Sequence, residues 1–384
     1  MNEDRRAKIE FAAGRCYRNV FFFMLIFVLG QKQAQAQSVL RLENSDSVRY
    51  MEENGVGITE AIGNVQLVQD SASMTCDRAR LIPSRSRTEF YGNVKMHEGE
   101  KWLHADQVIS FDDRRVREAA GHVKMGDRAT QLTARQVTYF QNEERALAEH
   151  EVTITNSDRR MVLTCGKADY LRDEDYARAW LEPVLIELDS SQAENLRITG
   201  NVIELFESGE RAKVSGAVDI TRQSTRAQCD TAEYFRTGGR LQLRVRPVAW
   251  QHRDELRGDM IELFIAEQKL TQAQVHGKAT MISPVDSTGR DARQNSLAGG
   301  KMTLYFQNEK LEHVLVEETA TSIYHVLDQG EVQGVNHVQG DRITLYISGG
   351  ELQRILIASD PGVSNGKYEP AGTAPPAAAS ERKP

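Results

Sequence analysis

The chain has 384 residues, 40% of them hydrophobic and 27% charged, with a formal net charge of −7. That length accommodates one large β domain or two ordinary ones. The acidic balance argues against nucleic acid, and against an anionic membrane surface, as the principal partner.

The first element is a leader. Arg15 and Arg18 precede an apolar run, Val20–Gly30, and Ala34-Gln35-Ala36 follows. A basic flank, a short apolar core and small-x-small residues read as a secretory signal peptide over 1–36, with cleavage expected after Ala36. The run is too short for a membrane-crossing helix, which needs about 20 residues. Cleavage would leave about 348 residues carrying about −10. Cys76, Cys165 and Cys229 would then lie in a compartment that permits disulfides. Their contexts match, "MTCDRA", "LTCGKA" and "AQCDTA", but equivalent places in a repeat imply no contact. The number is odd, no pairing follows, and small buried apolar side chains are the plainer reading.

The repeat itself begins at "GNV". Gly63, Gly92, Gly121 and His150 are 29 residues apart, and so are Asp77, Asp106 and Arg135. Asn201, Asp230 and Asp259 step by 29 again, before the spacing loosens around a polar insert at Ser283–Gly300. After each Gly marker comes an alternating run, as in Val65/Leu67, Val94/Met96, Val123/Met125 and Val152/Ile154. After each Asp marker comes another, such as "QVISF", "QVTYF", "AEYF" and "MIELF". Period-2 alternation with β-branched and aromatic residues argues for half-buried strands. Turn residues separate them at "HEGEK", "FDDRR", "FQNEER", "FRTGGR" and "ISGGE". The sequence therefore predicts a nearly all-β chain of about eighteen to twenty strands, two per repeat, stacked because one repeat cannot bury its own apolar face. A jelly-roll-like sandwich and a β-helix both fit that spacing.

These units, "GNV" strands alternating with "AD" or "CD" strands behind a secretion signal, resemble the OstA-like family. That family includes the LptA-type periplasmic lipopolysaccharide-transport protein, the LptC soluble domain and the LptD N-terminal domain. The resemblance covers about Ser38–Lys367. It implies an open β-jelly roll with an apolar groove that holds the acyl chains of lipopolysaccharide. It also implies partners in an inner-membrane export complex and an outer-membrane translocon, and end-to-end self-association through edge strands. The length suggests two tandem rolls, 38–190 and 191–367, with the break near Asp189–Asn195; one long roll is the alternative. The Gly-, Ala- and Pro-rich end, 368–384, reads as a disordered tail. Candidate groove residues are Val65, Leu67, Val94, Met96, Val123, Met125, Val152 and Ile154, although a groove wall and a closed core look alike in sequence. Val218, Ile220, Val248 and Trp250 hold similar places in the second half.

No catalytic constellation emerges, and no enzyme activity, cofactor or metal is expected. "LAGGKMT" lacks the spacing of a phosphate-binding loop. His313, His325 and His337 are 12 apart but have no matching ligands, and read as solvated surface residues. One Asp per 29 residues does not make a calcium loop; a structural role at the start of a strand is expected instead. The rival reading is a secreted β-helix that binds or cleaves polysaccharide.

Overall fold

Alternating sequences can satisfy their backbone groups and bury one face only by pairing as strands. In the computed structural model the chain does so along its length. The structure describes residues 40–371 apart from 70, 172, 286–292, 329–330, 350 and 361–363. These residues form one 26-stranded sheet in which neighbours pair antiparallel. Antiparallel pairing excludes the β-helix, whose coils stack in parallel. The leader and the tail beyond 371 lie outside the described residues; the last strand, Asn365–Pro370, runs into the stretch expected to be tail.

The Gly and Asp markers are two halves of one device. Most markers lie in the middle of a long strand rather than at its start, whereas Asn201 and Asp259 stand just before Val202–Phe206 and Met260–Ala266. Gly63 and Asn64 sit inside Val56–Gln69, and Asp77 sits inside Ala72–Ile82. Pairing jumps there from Ile62↔Arg78 to Val65↔Cys76, so two residues oppose one. This is a β-bulge, and it bends the strand. Both bulge residues are left-handed: Gly63 at φ +75° and Asn64 at +46°, Gly92 at +72° and Asn93 at +46°, Gly121 at +74° and His122 at +45°. The opposing carboxylate fills the space a Cβ would need. Built on Gly92, a Cβ would lie 2.2 Å from Asp77 Oδ2. Asn93 Nδ2 donates to the same oxygen at 2.9 Å, and His122 Nδ1 lies 2.7 Å from Asp106 Oδ2. Where the markers change, the pair changes with them: Arg135 donates to Glu151, and Arg246 to Asp230.

Some bends break the strand outright. Tyr176–Trp180 and Val184–Leu188 both pair with Met161–Leu171. Arg240–Arg244 and Val248–Gln251 both pair with Thr225–Phe235. Glu194–Thr199 with Val202–Phe206, and Asp254–Arg257 with Met260–Ala266, are further couples. So are Arg41–Asn44 with Ser47–Glu53, and Glu351–Ala358 with Asn365–Pro370. Counting each of these six couples once turns 26 segments into twenty bent strands, in line with the sequence reading.

Each bent strand contributes one arm to each of two layers. In the first layer a line of inward residues runs Ala61, Ala79, Phe90, Val108, Ala119, Val137 and on to Ile343. In the second it runs Leu67, Met74, Met96, Leu103, Met125, Leu132, Ile154, Leu163 and on to Leu297. One buried cluster spans Ala61 to Leu345. The stretch Asp189–Asn195 is a hairpin turn whose Asp189 Oδ1 accepts from the backbone N–H groups of Ser191 and Ala193. Strand pairing and the buried cluster both continue through it. Much of the expected polar insert is strand, since Gln294–Gln307 pairs on both sides.

Candidate functional site

The eight candidate groove residues share the inner face of the second layer, on every second strand. Seven are buried: Val65, Leu67, Val94, Met96, Val123, Met125 and Val152, none more than 6% exposed. Ile154 is partly buried and faces a small apolar recess between the layers. Ile154, Met161 and Leu163 line it from the second layer; Tyr170, Ile203 and Leu205 line it from the first. At its polar end Asn156 Nδ2 donates to Thr130 Oγ1 at 2.8 Å, which satisfies two groups buried beside the apolar wall.

The intervening strands supply partners that the sequence reading passed over. Val65 pairs with Cys76, Val94 with Ala105, Val123 with Ala134, and Val152 with Cys165. The signal for them was present: the residue just before Asp77, Asp106 and Arg135 is Cys or Ala, as is the one before Gly166, because it packs against a Val where the strand bends. All three thiols are buried and unbridged. Burial pushes their pKa values up to about 11 for Cys76, 12 for Cys165 and 11 for Cys229. In the second half Val218 and Ile220 are buried as expected. Val248 and Trp250 are not inward; Ala249 between them is. The bend there is Val245-Arg246, so Pro247 takes the place of Val65 and the phase slips by one residue.

One histidine also differs from expectation. His313 stacks 4.2 Å from Tyr305 and 6.0 Å from Tyr346. His325 is buried, and Asn295 Oδ1 accepts its backbone N–H at 2.9 Å. His325 is therefore not a solvated surface residue, whereas His313 is half-exposed on the outer face. Among the described residues no group of three or more His, Cys, Asp or Glu side chains is arranged to hold a metal.

Polar side chains lace the seam where turns of one layer meet turns of the other. Arg159 Nη1 lies 2.9 Å from Glu210 Oε1, and Arg236 Nε donates to Glu187 Oε1 at 3.2 Å. Tyr234 OH donates to Glu187 Oε2 at 3.2 Å, and burial raises its pKa. Arg222, 6% exposed at its side chain, lies 3.0 Å from Glu309 Oε1 and also donates to the Gln268 carbonyl. These links fall between residues 159 and 309 and join segments up to 87 residues apart. They hold the layers over the apolar interior.

The sequence model of one family, described as LptA/(LptD N-terminal domain) LPS transport protein, matches residues 77–269. The chain belongs to this family. The matched LPS-transport segment contains the recess, six of the eight candidate residues and most of the seam. A search of curated proteins returns no match. Among solved structures, LptH, the LptA homologous periplasmic component of the lipopolysaccharide transport device from Pseudomonas aeruginosa, is similar at 17% identity. The similarity covers 38% of this chain and 96% of that one, with a TM-score of 0.30.

Proposed function

We propose that the chain is a non-enzymatic periplasmic carrier that shields the acyl chains of lipopolysaccharide between its two layers. The observation that carries this reading is the apolar recess at Ile154, inside the family-matched segment, continuous with two lines of inward apolar side chains. Removing apolar surface from water is worth roughly 25 cal/mol per Å², so a lipid crossing water needs such a lining. The buried candidate residues would meet lipid only when the layers part, which makes the recess the place where acyl chains first enter. The terminal strands fit a bridge. Ser47–Glu53 pairs with Val56–Gln69 and exposes Val48 and Tyr50, the latter 73% exposed. Asn365–Pro370 pairs with Glu331–Ser348 and exposes Tyr368. Strand addition at such edges would join copies to one another, or to an inner-membrane export complex and an outer-membrane translocon.

Photo-crosslinking in cells tests the reading. A photoreactive residue replaces Ile154, Leu163 or Leu205, with outward Gln66 and Arg226 as controls. Lipopolysaccharide adducts are expected at the three recess positions and not at the controls. An exported, folded protein that yields no lipid adduct at any of the three would refute the carrier role.

A further inference from the structure

The outer face of the second layer carries two lysines that flank a histidine. Lys95, His104 and Lys124 stand directly opposite one another on three neighbouring strands. Their neighbours Val94, Met96, Leu103 and Met125 are buried, so the row points outward. One step nearer the turn, His97 pairs with Trp102. The His104 ring lies 5.1 Å from the Trp102 ring and 5.8 Å from that of His97.

Opposite charges that face each other across neighbouring strands stabilise a sheet. The outer face of the first layer is built this way: Arg49, Glu60, Arg80 and Glu89 alternate in sign across four strands, with Arg49 and Glu60 joined at 2.6 Å. Among the described residues Lys95, His97 and Lys124 make no ion pair. The row continues into hydroxyls, Thr75 beside Lys95 and Thr133 beside Lys124. Asp77 and Asp106, further along the same strands, are engaged at the bends by Asn93 and His122. Burial, and then the charges of His97, Lys95 and Lys124, hold His104 below the usual histidine range. An acidic chain thus keeps two unpaired lysines on either side of a histidine beside an aromatic surface, an arrangement that an external anion would relieve.

We propose that this patch binds a phosphorylated saccharide. The Lys95 and Lys124 ammonium groups are point charges suited to phosphate oxygens. The half-exposed Trp102 ring offers a flat apolar face to the C–H groups of a sugar, and hydroxyls flank the row. A protein partner would want a wider apolar centre than one indole. The source is the headgroup of a glycolipid, and here the proposal rests on the carrier reading. Trp102 is two or three residues from the hairpin turn Gly99–Glu100 at the rim of the second layer. Lys95 is about 13 Å from that rim at roughly 3.3 Å per residue. A lipid with its acyl chains between the layers would fold its headgroup over this rim onto the patch.

The test uses probes without acyl chains, so that it does not depend on the groove. N-acetylglucosamine 1-phosphate, N-acetylglucosamine and inorganic phosphate are each titrated into the full chain, and the Trp102 indole and His104 ring are followed by NMR. The sugar phosphate is expected to shift both signals saturably, with the other two at least about ten-fold weaker, since each lacks one half of the recognition. Lys95→Gln with Lys124→Gln weakens binding about ten-fold or more, whereas Lys95→Arg with Lys124→Arg retains it. Equal response to inorganic phosphate, or indifference to the Gln pair, overturns the site. A lipid-linked sugar phosphate in neutral vesicles that binds no tighter than the free sugar overturns the headgroup assignment. Lipid adducts at Ile154 in the Gln pair report on the carrier reading separately.

Discussion

At Gly92 the backbone is held at φ +72°, with the Asp77 carboxylate occupying the place of a side chain. Gly92→Ala meets both the left-handed strain and that carboxylate, and should lower stability by about 2 kcal/mol in denaturant unfolding. In an Asp77→Ala background the strain stays and the clash goes, so the same change should cost less. Equal costs in the two backgrounds would mean that the bulge, not the carboxylate, sets the requirement. Cys76, Cys165 and Cys229 lead to a second expectation. With pKa values raised to about 11 or 12 and no exposed sulfur, they should resist iodoacetamide at pH 8 in the folded chain and react once it is unfolded. The linkage runs in the same direction. The folded thiols keep protons that unfolded ones lose from about pH 9, so their share of stability is intact below that pH and declines as pH rises towards 11. Rapid labelling of the native chain would contradict the buried placement.

Across three strands, the row Lys95, His104 and Lys124 makes His104 a reporter of its neighbours. Lys124→Met removes one of the charges that depress it, so the NMR titration of His104 should move up towards the ordinary histidine value. At the seam, Arg222→Ala leaves Glu309 and the Gln268 carbonyl without their partner and should cost about 3 kcal/mol, whereas Glu309→Gln keeps a hydrogen-bonding group and should cost about 1 kcal/mol. Thermal and denaturant midpoints decide both. The elements themselves were legible because a β-bulge with two left-handed residues demands Gly, Asn or a substitute in a fixed place, and this left the 29-residue interval in the sequence. The inward alternation of Val65, Met96 and Val123 was legible for the same local reason. The bend was not. Inward residues step from Cys76 to Ala79 across Asp77, so period-2 reading loses phase there, and each long strand looks like two features. Trp250 was assigned inward by that error. The seam left no signal at all, because Arg222 and Glu309 meet only once the sheet has rolled.

Over the whole molecule the buried cluster is unbroken from Ala61 to Leu345. Trp102 and Trp250, in opposite halves of the chain, should therefore report one coincident unfolding transition. Two separated transitions would show that the halves fold on their own despite the shared core. Open sheet edges are normally an aggregation hazard, and here the exposed Val48 and Tyr50 at one end and Tyr368 at the other remain uncovered in the single chain. Because the bulge resets the bend in every repeat, a whole unit can be gained or lost without turning any other side chain to the wrong face, while a single-residue insertion would invert an arm. Each unit adds two strand spacings, about 10 Å. The molecule is thus a ruler graduated in hairpins, and the length of its apolar interior is set by how many times its sequence repeats a phrase.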